Sequence, residues 1–265
     1  MSFFNVKVYN YVLEQQIRIY SKPIVKNDIE KDIYLEKEKD NNKDSDFNKK
    51  DSIENNELVK NENYIKQVSV SRTIQKIYEI ARSNNWEYFI TLTFDPLKVD
   101  SFNYTEVTKK LSMWLNNIKK TYSPELKYII VPELHKSGRY HFHGLISNIG
   151  SIEMLDSGKK TKDGNIIYNI GGYKLGFTTA TRIKDESRVT SYIAKYISKD
   201  LCTVTFNKKR YWASRNLNKC KVDYYLLDCN EIESMINDLS DNITYCKTTE
   251  CYLNNRKTKY IEVTY

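Results

Sequence analysis

The chain predicts an α+β protein in which a central antiparallel sheet is flanked by helices, with small extensions at both ends. Three observations lead there. Tyr88-Phe-Ile-Thr-Leu-Thr-Phe94 is an unbroken run of aromatic and β-branched residues stopped by Asp95-Pro96, the pattern of a central strand. Tyr128 to Leu134 and Tyr140 to Ile146 are two further runs separated only by a short Gly-containing turn, so they pair antiparallel. Segments of helical period alternate with these strands, and the order helix, strand, helix, strand, strand, strand, helix suits an antiparallel α+β sandwich. At 265 residues and 31.4 kDa the chain can bury one good core, with room for extensions.

Residues 1–25 form a small β extension, with strands expected over Asn5 to Val12 and Gln15 to Tyr20, the second closed by Lys22-Pro23. Residues 26–66 carry 9 Lys against 12 Asp or Glu and few aromatic or branched residues, so they cannot bury enough apolar surface to offset chain entropy. They read as a flexible charged linker. The domain proper is expected over 67–216. Its first helix, Val68 to Ser83, places Val70, Ile74, Ile77, Tyr78 and Ala81 at helical spacing and ends at Ser83-Asn84-Asn85. Tyr104 to Tyr122 puts Val107, Leu111, Trp114, Leu115 and Ile118 on one stripe with lysines opposite, an amphipathic helix. Lys159 to Asn165 is expected as a loop and Asn169 to Gly176 as a turn-rich stretch, followed by a Thr-rich strand from Phe177 to Ile183. Asp185 to Asp200 reads as a helix with acids at its start and Val189, Tyr192, Ile193, Tyr196 and Ile197 at helical intervals. Arg210 to Asn216 is a short strand. Residues 217–265 form an α/β extension with one more strand, a helix near Glu231 to Leu239 and a Lys-rich end.

Net charge is +8 with pI near 9.0. The linker is net −3, which leaves +11 on the rest, a balance that favours a polyanionic partner, nucleic acid first. The five cysteines, at 202, 220, 229, 246 and 251, contain no Cys-x-x-Cys pair. With no secretory leader expected, they read as free thiols in a reducing bacterial cytoplasm. No run of about eighteen apolar residues occurs, so no membrane span is expected.

All three histidines fall within Glu133-Leu-His135-Lys-Ser-Gly-Arg-Tyr-His141-Phe-His143. On a strand alternate side chains share a face, so His141 and His143 point one way while Phe142 and Gly144 point the other. A three-residue turn, Lys136-Ser137-Gly138 with Gly138 left-handed, pairs His135 with Arg139 and Glu133 with His141, and brings Glu133 onto the histidine face. A turn of two or four residues would send Glu133 to the opposite face. Two imidazoles and a carboxylate suit Mn, Mg, Fe or Zn, and the absence of cysteine from the cluster disfavours a structural zinc site. His135, at the turn, is a lesser candidate for a ligand.

A second constellation is Tyr192-Ile-Ala-Lys195-Tyr196-Ile-Ser-Lys199. It sets two phenols four apart on one helix face and two lysines four apart beside them. A phenol with a pKa of about 10 needs help to become a nucleophile, and a neighbouring ammonium favours the phenolate. The ordered set Phe89-Ile90-Thr91-Leu92-Thr93, His141-Phe142-His143 and Tyr192-Ile-Ala-Lys195-Tyr196 resembles the three motifs of the HUH endonuclease superfamily, specifically its rolling-circle replication initiators. The double tyrosine resembles the A-type initiators of small single-stranded DNA phages. The resemblance spans about 86 to 216.

This resemblance implies an RRM-like or ferredoxin-like nuclease domain in which Glu133, His141 and His143 hold Mg or Mn at a scissile phosphate. Tyr192 and Tyr196 would be the nucleophiles and Lys195 their helper. The reaction implied is a nick that leaves a 5′-phosphotyrosine and a free 3′-hydroxyl primer, followed by rejoining. Tyr192 fits the single-tyrosine pattern as well, but the order of attack stays open. Thr91 and Thr93 read as fold residues beneath the site. The partner expected is single-stranded or supercoiled origin DNA, held by the basic segment Lys184 to Lys221, in particular Lys199, Lys208, Lys209, Arg210 and Arg215. Tyr211 and Trp212 are available there for base stacking. With no Gly-x-x-x-x-Gly-Lys-Ser/Thr motif, helicase activity would come from a host helicase alongside a host DNA polymerase. Two other readings remain. One is a transposase or relaxase of the same chemistry, although a relaxase would carry three metal-site histidines and N-terminal tyrosines. The other is a non-catalytic RRM-like nucleic-acid binder, whose sheet would display aromatics where this one offers His and Glu.

Overall fold

The computed structural model of the chain describes residues 2–26, 69–185, 193, 208–251 and 255–265. The linker beyond Lys26 and, apart from Asp185 and Ile193, the helix expected over 185–200 lie outside these residues. In chain order the elements are β1 (Phe3–Asn10), β2 (Glu14–Val25), α1 (69–82), β3 (Tyr88–Phe94), α2 (Tyr104–Thr121), β4 (Lys127–Leu134) and β5 (Tyr140–Ser147). They continue with β6 (Met154–Lys160), β7 (Ile166–Ile170), β8 (Gly176–Arg182), β9 (Trp212–Ala213), β10 (Lys221–Tyr225), α3 (Cys229–Leu239), β11 (Ile243–Cys251) and β12 (Arg256–Thr264). The class is α+β with antiparallel sheets, and the chain divides into two compact units, Met1–Ser71 with Cys220–Tyr265, and Arg72–Lys219.

The unit Arg72–Lys219 is built on a seven-stranded sheet of order β6-β7-β8-β3-β5-β4-β9. Alternation sends Ile90, Leu92 and Phe94 of β3 to one face with Phe142, Ile146 and Ile130 of its neighbours. Helix α2 covers that face with Val107, Leu111, Trp114, Leu115 and Ile118, all buried. Each such side chain contributes roughly 1.5–3 kcal/mol by leaving water. The helix begins where Asn103 accepts from the backbone N–H groups of Thr105 and Glu106, and it ends with Lys119 and Lys120 against its carbonyl end. Gly144 lies on this face because a Cβ there would come within 2.5 Å of the Ile129 carbonyl oxygen. The opposite face carries Phe89, Leu145, Ile129 and Val131, packed against Ile77, Ile80 and Ala81 of α1 and against Ile193.

The expected polar loop at 159–165 is instead the turn of a hairpin, β6–β7, at the edge of this sheet. Its strands are largely exposed, carry Lys159 and Lys160, and break register between Asp156 and Lys159. A charged, irregular edge strand has no buried face to leave an alternating imprint, and it resists pairing with another chain.

The second unit is a five-stranded sheet of order β10-β1-β2-β12-β11, so residues 1–25 and 217–265, which sequence separates into two extensions, share one sheet. The C-terminal segment contributes three strands where one was expected. Helix α3 covers one face, setting Ile232, Met235, Ile236 and Leu239 on Val6, Val8, Ile17, Ile19, Ile261 and Val263. Asp228 and Glu231 close a capping box at its start. Strand β2 runs past Pro23 to Val25 because β12 pairs with it only from Glu14 to Tyr20, which leaves an open flank where a missing N–H costs no ladder bond.

Candidate metal and nucleic-acid site

The site is laid out by the register of three strands. The β4–β5 hairpin turns through Lys136-Ser137-Gly138, with Gly138 at φ +81° and the His135 N–H donating to the Arg139 carbonyl. Glu133 therefore pairs with His141 and Val131 with His143, which puts Glu133, His141 and His143 on one face. Strand β3 lies on the other side of β5, with Thr91 opposite His143 and Thr93 opposite His141. This polar patch continues the face that α1 and Ile193 cover further along the strands.

The contacts follow the register. His143 is 5 % exposed, and its Nε2 stands 2.6 Å from Glu133 Oε2 while its Nδ1 stands 3.1 Å from Thr91 Oγ1. The ring also stacks on Phe89, centroids 6.1 Å apart. His141 Nδ1 is 3.5 Å from Thr93 Oγ1, and its ring stacks on His135 at 5.1 Å. Both histidines thus turn Nδ1 to a threonine hydroxyl and keep Nε2 as the remaining nitrogen. Threonine neighbours of this kind fix the ring orientation of a ligating histidine. Sequence reading took Thr91 and Thr93 for framework. The signal available was a Thr-x-Thr strand of the same period as the His-x-His strand it pairs with.

Burial, followed by the like charges of His135 and Arg139, lowers the pKa of His141 below the ordinary histidine value, against the opposing pull of Glu133. The ring is held neutral, which is the protonation state that can donate a lone pair to an ion. His135 is turned away from this role, because its Nδ1 accepts from the Ser137 N–H at 3.3 Å and lies 3.0 Å from Ser137 Oγ.

Two imidazoles and a carboxylate on one sheet face fit a divalent ion such as Mg or Mn in donor type. Among the described residues, no three His, Cys, Asp or Glu side chains already close around a common point. Glu133 and His143 touch, and His141 is the member held apart.

The expected nucleophiles Tyr192 and Tyr196, with Lys195 and Lys199, lie outside the described residues. Ile193, which follows Tyr192 in the chain, is fully buried in the cluster on the histidine face of the sheet. Of the other expected DNA contacts, Lys208 lies over the Tyr104 ring at 4.9 Å, and Lys209 lies over Trp212 at 5.1 Å with its pKa lowered by burial. Arg210 donates to Thr73 Oγ1 at 3.0 Å, and Arg215 is exposed.

Trp212 is not a stacking surface. It is 3 % exposed, edge-on to Phe142, and its indole N–H donates to Ser112 Oγ, so it belongs to the core under α2. Tyr211 packs half-buried against the α1 side. The spacing of two aromatics in a basic segment gave no hint of this, because β9 is only two residues long and tucks Trp212 beside Ile130.

Residues 87–201 match the family model of the ORF2-type replication-associated proteins. The matched segment opens just before β3, spans the histidine hairpin, and extends through the Tyr192 to Tyr196 stretch. No curated protein and no solved structure matches the chain. Similarity to replication-associated proteins supports a role in initiating replication for this part of the chain. Among the described residues, no helix is long and apolar enough to cross a membrane.

Proposed function

We propose that this chain initiates rolling-circle replication by nicking and rejoining one DNA strand through a tyrosine. The observation that carries the reading is the convergence of Glu133, His141 and His143 on one sheet face inside the segment matched to replication-associated proteins. Magnesium or manganese held by Glu133, His141 and His143 would supply Lewis-acid withdrawal of charge from the phosphoryl oxygens. Thr91 and Thr93 orient the two rings, and the neutral imidazoles leave their lone pairs available.

In the nick, the phenolate oxygen of Tyr192 or Tyr196 forms a bond to the scissile phosphorus, and the bond from phosphorus to the 3′-oxygen breaks. The departing oxygen takes a proton and becomes the 3′-hydroxyl primer, while the 5′-phosphate stays on the tyrosine. Lys195 favours the phenolate electrostatically. Rejoining runs the same exchange backward: a 3′-hydroxyl attacks the phosphotyrosine and releases the phenol, with no ATP required. Two phenols allow the second cut to proceed while the first still holds DNA. Origin DNA, a host helicase and a host DNA polymerase complete the system.

The test uses purified protein, Mn or Mg, and a randomised pool of 3′-labelled single-stranded oligonucleotides. An adduct resistant to denaturation is expected. If the Tyr192→Phe, Tyr196→Phe double variant still forms it, the nucleophile assignment is wrong. Undiminished adduct from His141→Ala in chelating buffer would remove the metal.

A further inference from the structure

Across the outermost row of the histidine face, register aligns Phe177 of β8, Thr93 of β3, His141 of β5 and Glu133 of β4. Phe177 shares their face, since Ala180 and Thr178, on the alternate positions of β8, are buried on the α2 side. It is 73 % exposed, and Thr179 beside it is exposed too. The face is apolar and covered at the row of Phe89, Leu145 and Ile129. At the row of Glu133 it is an open shelf with an uncovered aromatic ring at its far end.

We infer that Phe177 is the stacking platform for an unpaired base next to the scissile phosphate, an inference that rests on the nicking function proposed above. Neighbouring strands lie about 4.8 Å apart, so Phe177 stands two strands, or roughly 10 Å, from His141. An extended single strand covers that separation within a few nucleotides. One row therefore offers a phosphate-directed end, Glu133 with His141, and a base-directed end, Phe177, with only the small Thr93 between them. The occupant is single-stranded DNA rather than duplex, because a base must be unstacked from its neighbours to lie on a ring. The net charge of +8 complements such a polyanion. With Trp212 in the core and Tyr211 packed toward α1, Phe177 takes the stacking role that sequence gave to those two residues.

The experiment compares the full chain with Phe177→Ala and Phe177→Tyr. It measures anisotropy with fluorescein-labelled dT12 and with a strand of equal length made of abasic residues, and Mn binding by calorimetry. Phe177→Ala should weaken dT12 binding roughly tenfold, the scale of one base stacked on an aromatic ring. Phe177→Tyr should retain it, and abasic binding should be equal in all three proteins. Equal dT12 affinity for Phe177→Ala overturns the inference, as does an equal loss toward the abasic strand. So does a Phe177→Ala effect confined to self-association in the ultracentrifuge, which would make the ring a contact with a second copy. Absence of Mn binding in the unmodified protein, with the dT12 difference intact, would instead strike the metal-dependent nicking and leave the stacking site standing.

Discussion

The two faces of the seven-stranded sheet are made from alternate residues of the same strands, yet they obey different rules. On the α2 side, Ile90, Leu92, Phe94, Phe142 and Ile146 are apolar from one end to the other and α2 covers them all. On the other side apolar residues stop at Val131, and Thr91, Thr93, His141, His143 and Glu133 take over. One face holds the strands in register; the other uses that register to aim side chains. A polar group on the α2 side would need a buried partner, whereas polar groups on the open end find partners in each other and in whatever binds there.

The largest effect expected from breaking this contrast is on the covered side. Phe142, fully buried between Phe94 and Trp212, should cost about 3–5 kcal/mol on truncation to alanine. The exposed Phe177 should cost no more than about 0.5 kcal/mol. Urea denaturation of the two variants gives the comparison directly, and similar losses would mean that both faces are structural.

Next in size is the threonine pair. Thr91→Val, which removes the hydroxyl from His143 Nδ1, should weaken Mn binding by about 10- to 100-fold, with Thr91→Ser restoring it. Thr93→Val should matter less, because 3.5 Å lies at the outer limit of a hydrogen bond. Calorimetry reads both, and an unchanged Thr91→Val would return these residues to the framework.

The smallest effect expected is electrostatic. Burial is the main cause of the lowered His141 pKa, and His135 adds to it, so His135→Ala should raise the NMR titration midpoint of His141 without carrying it to the ordinary value near 6.5. The sign for stability follows. The unfolded chain binds this proton more readily than the folded one, so stability from His141 is present above the unfolded pKa and is lost as pH falls through the folded one. A midpoint that does not move would separate the stacked pair electrostatically.

Legibility in the sequence divides along the same line. The histidine face could be read because a three-residue turn and strict alternation fix parity locally: Gly138 sets the turn and Glu133 follows. The strand Tyr88–Phe94 and helix α2 announced themselves by period. The β6–β7 hairpin did not, since exposed edge strands have no buried face to imprint. The terminal sheet pairs Val6 with Tyr225, a partner more than two hundred positions away, and nothing local to either residue signals the other. Trp212 and Phe177 exchanged roles for a similar reason. An aromatic ring in a basic segment looks like a stacking surface until the fold decides which ring is covered.

The central claim is that a tyrosine near this face takes up DNA covalently, and mass spectrometry of the tryptic digest of the Mn-dependent adduct tests it most directly. Cleavage after Arg188, Lys195 and Lys199 places Tyr192 and Tyr196 on separate peptides, 189–195 and 196–199. A 5′-phosphorylated nucleotide on one or both is the expected result. A nucleotide linked to any other residue, or no linked peptide at all, would contradict it.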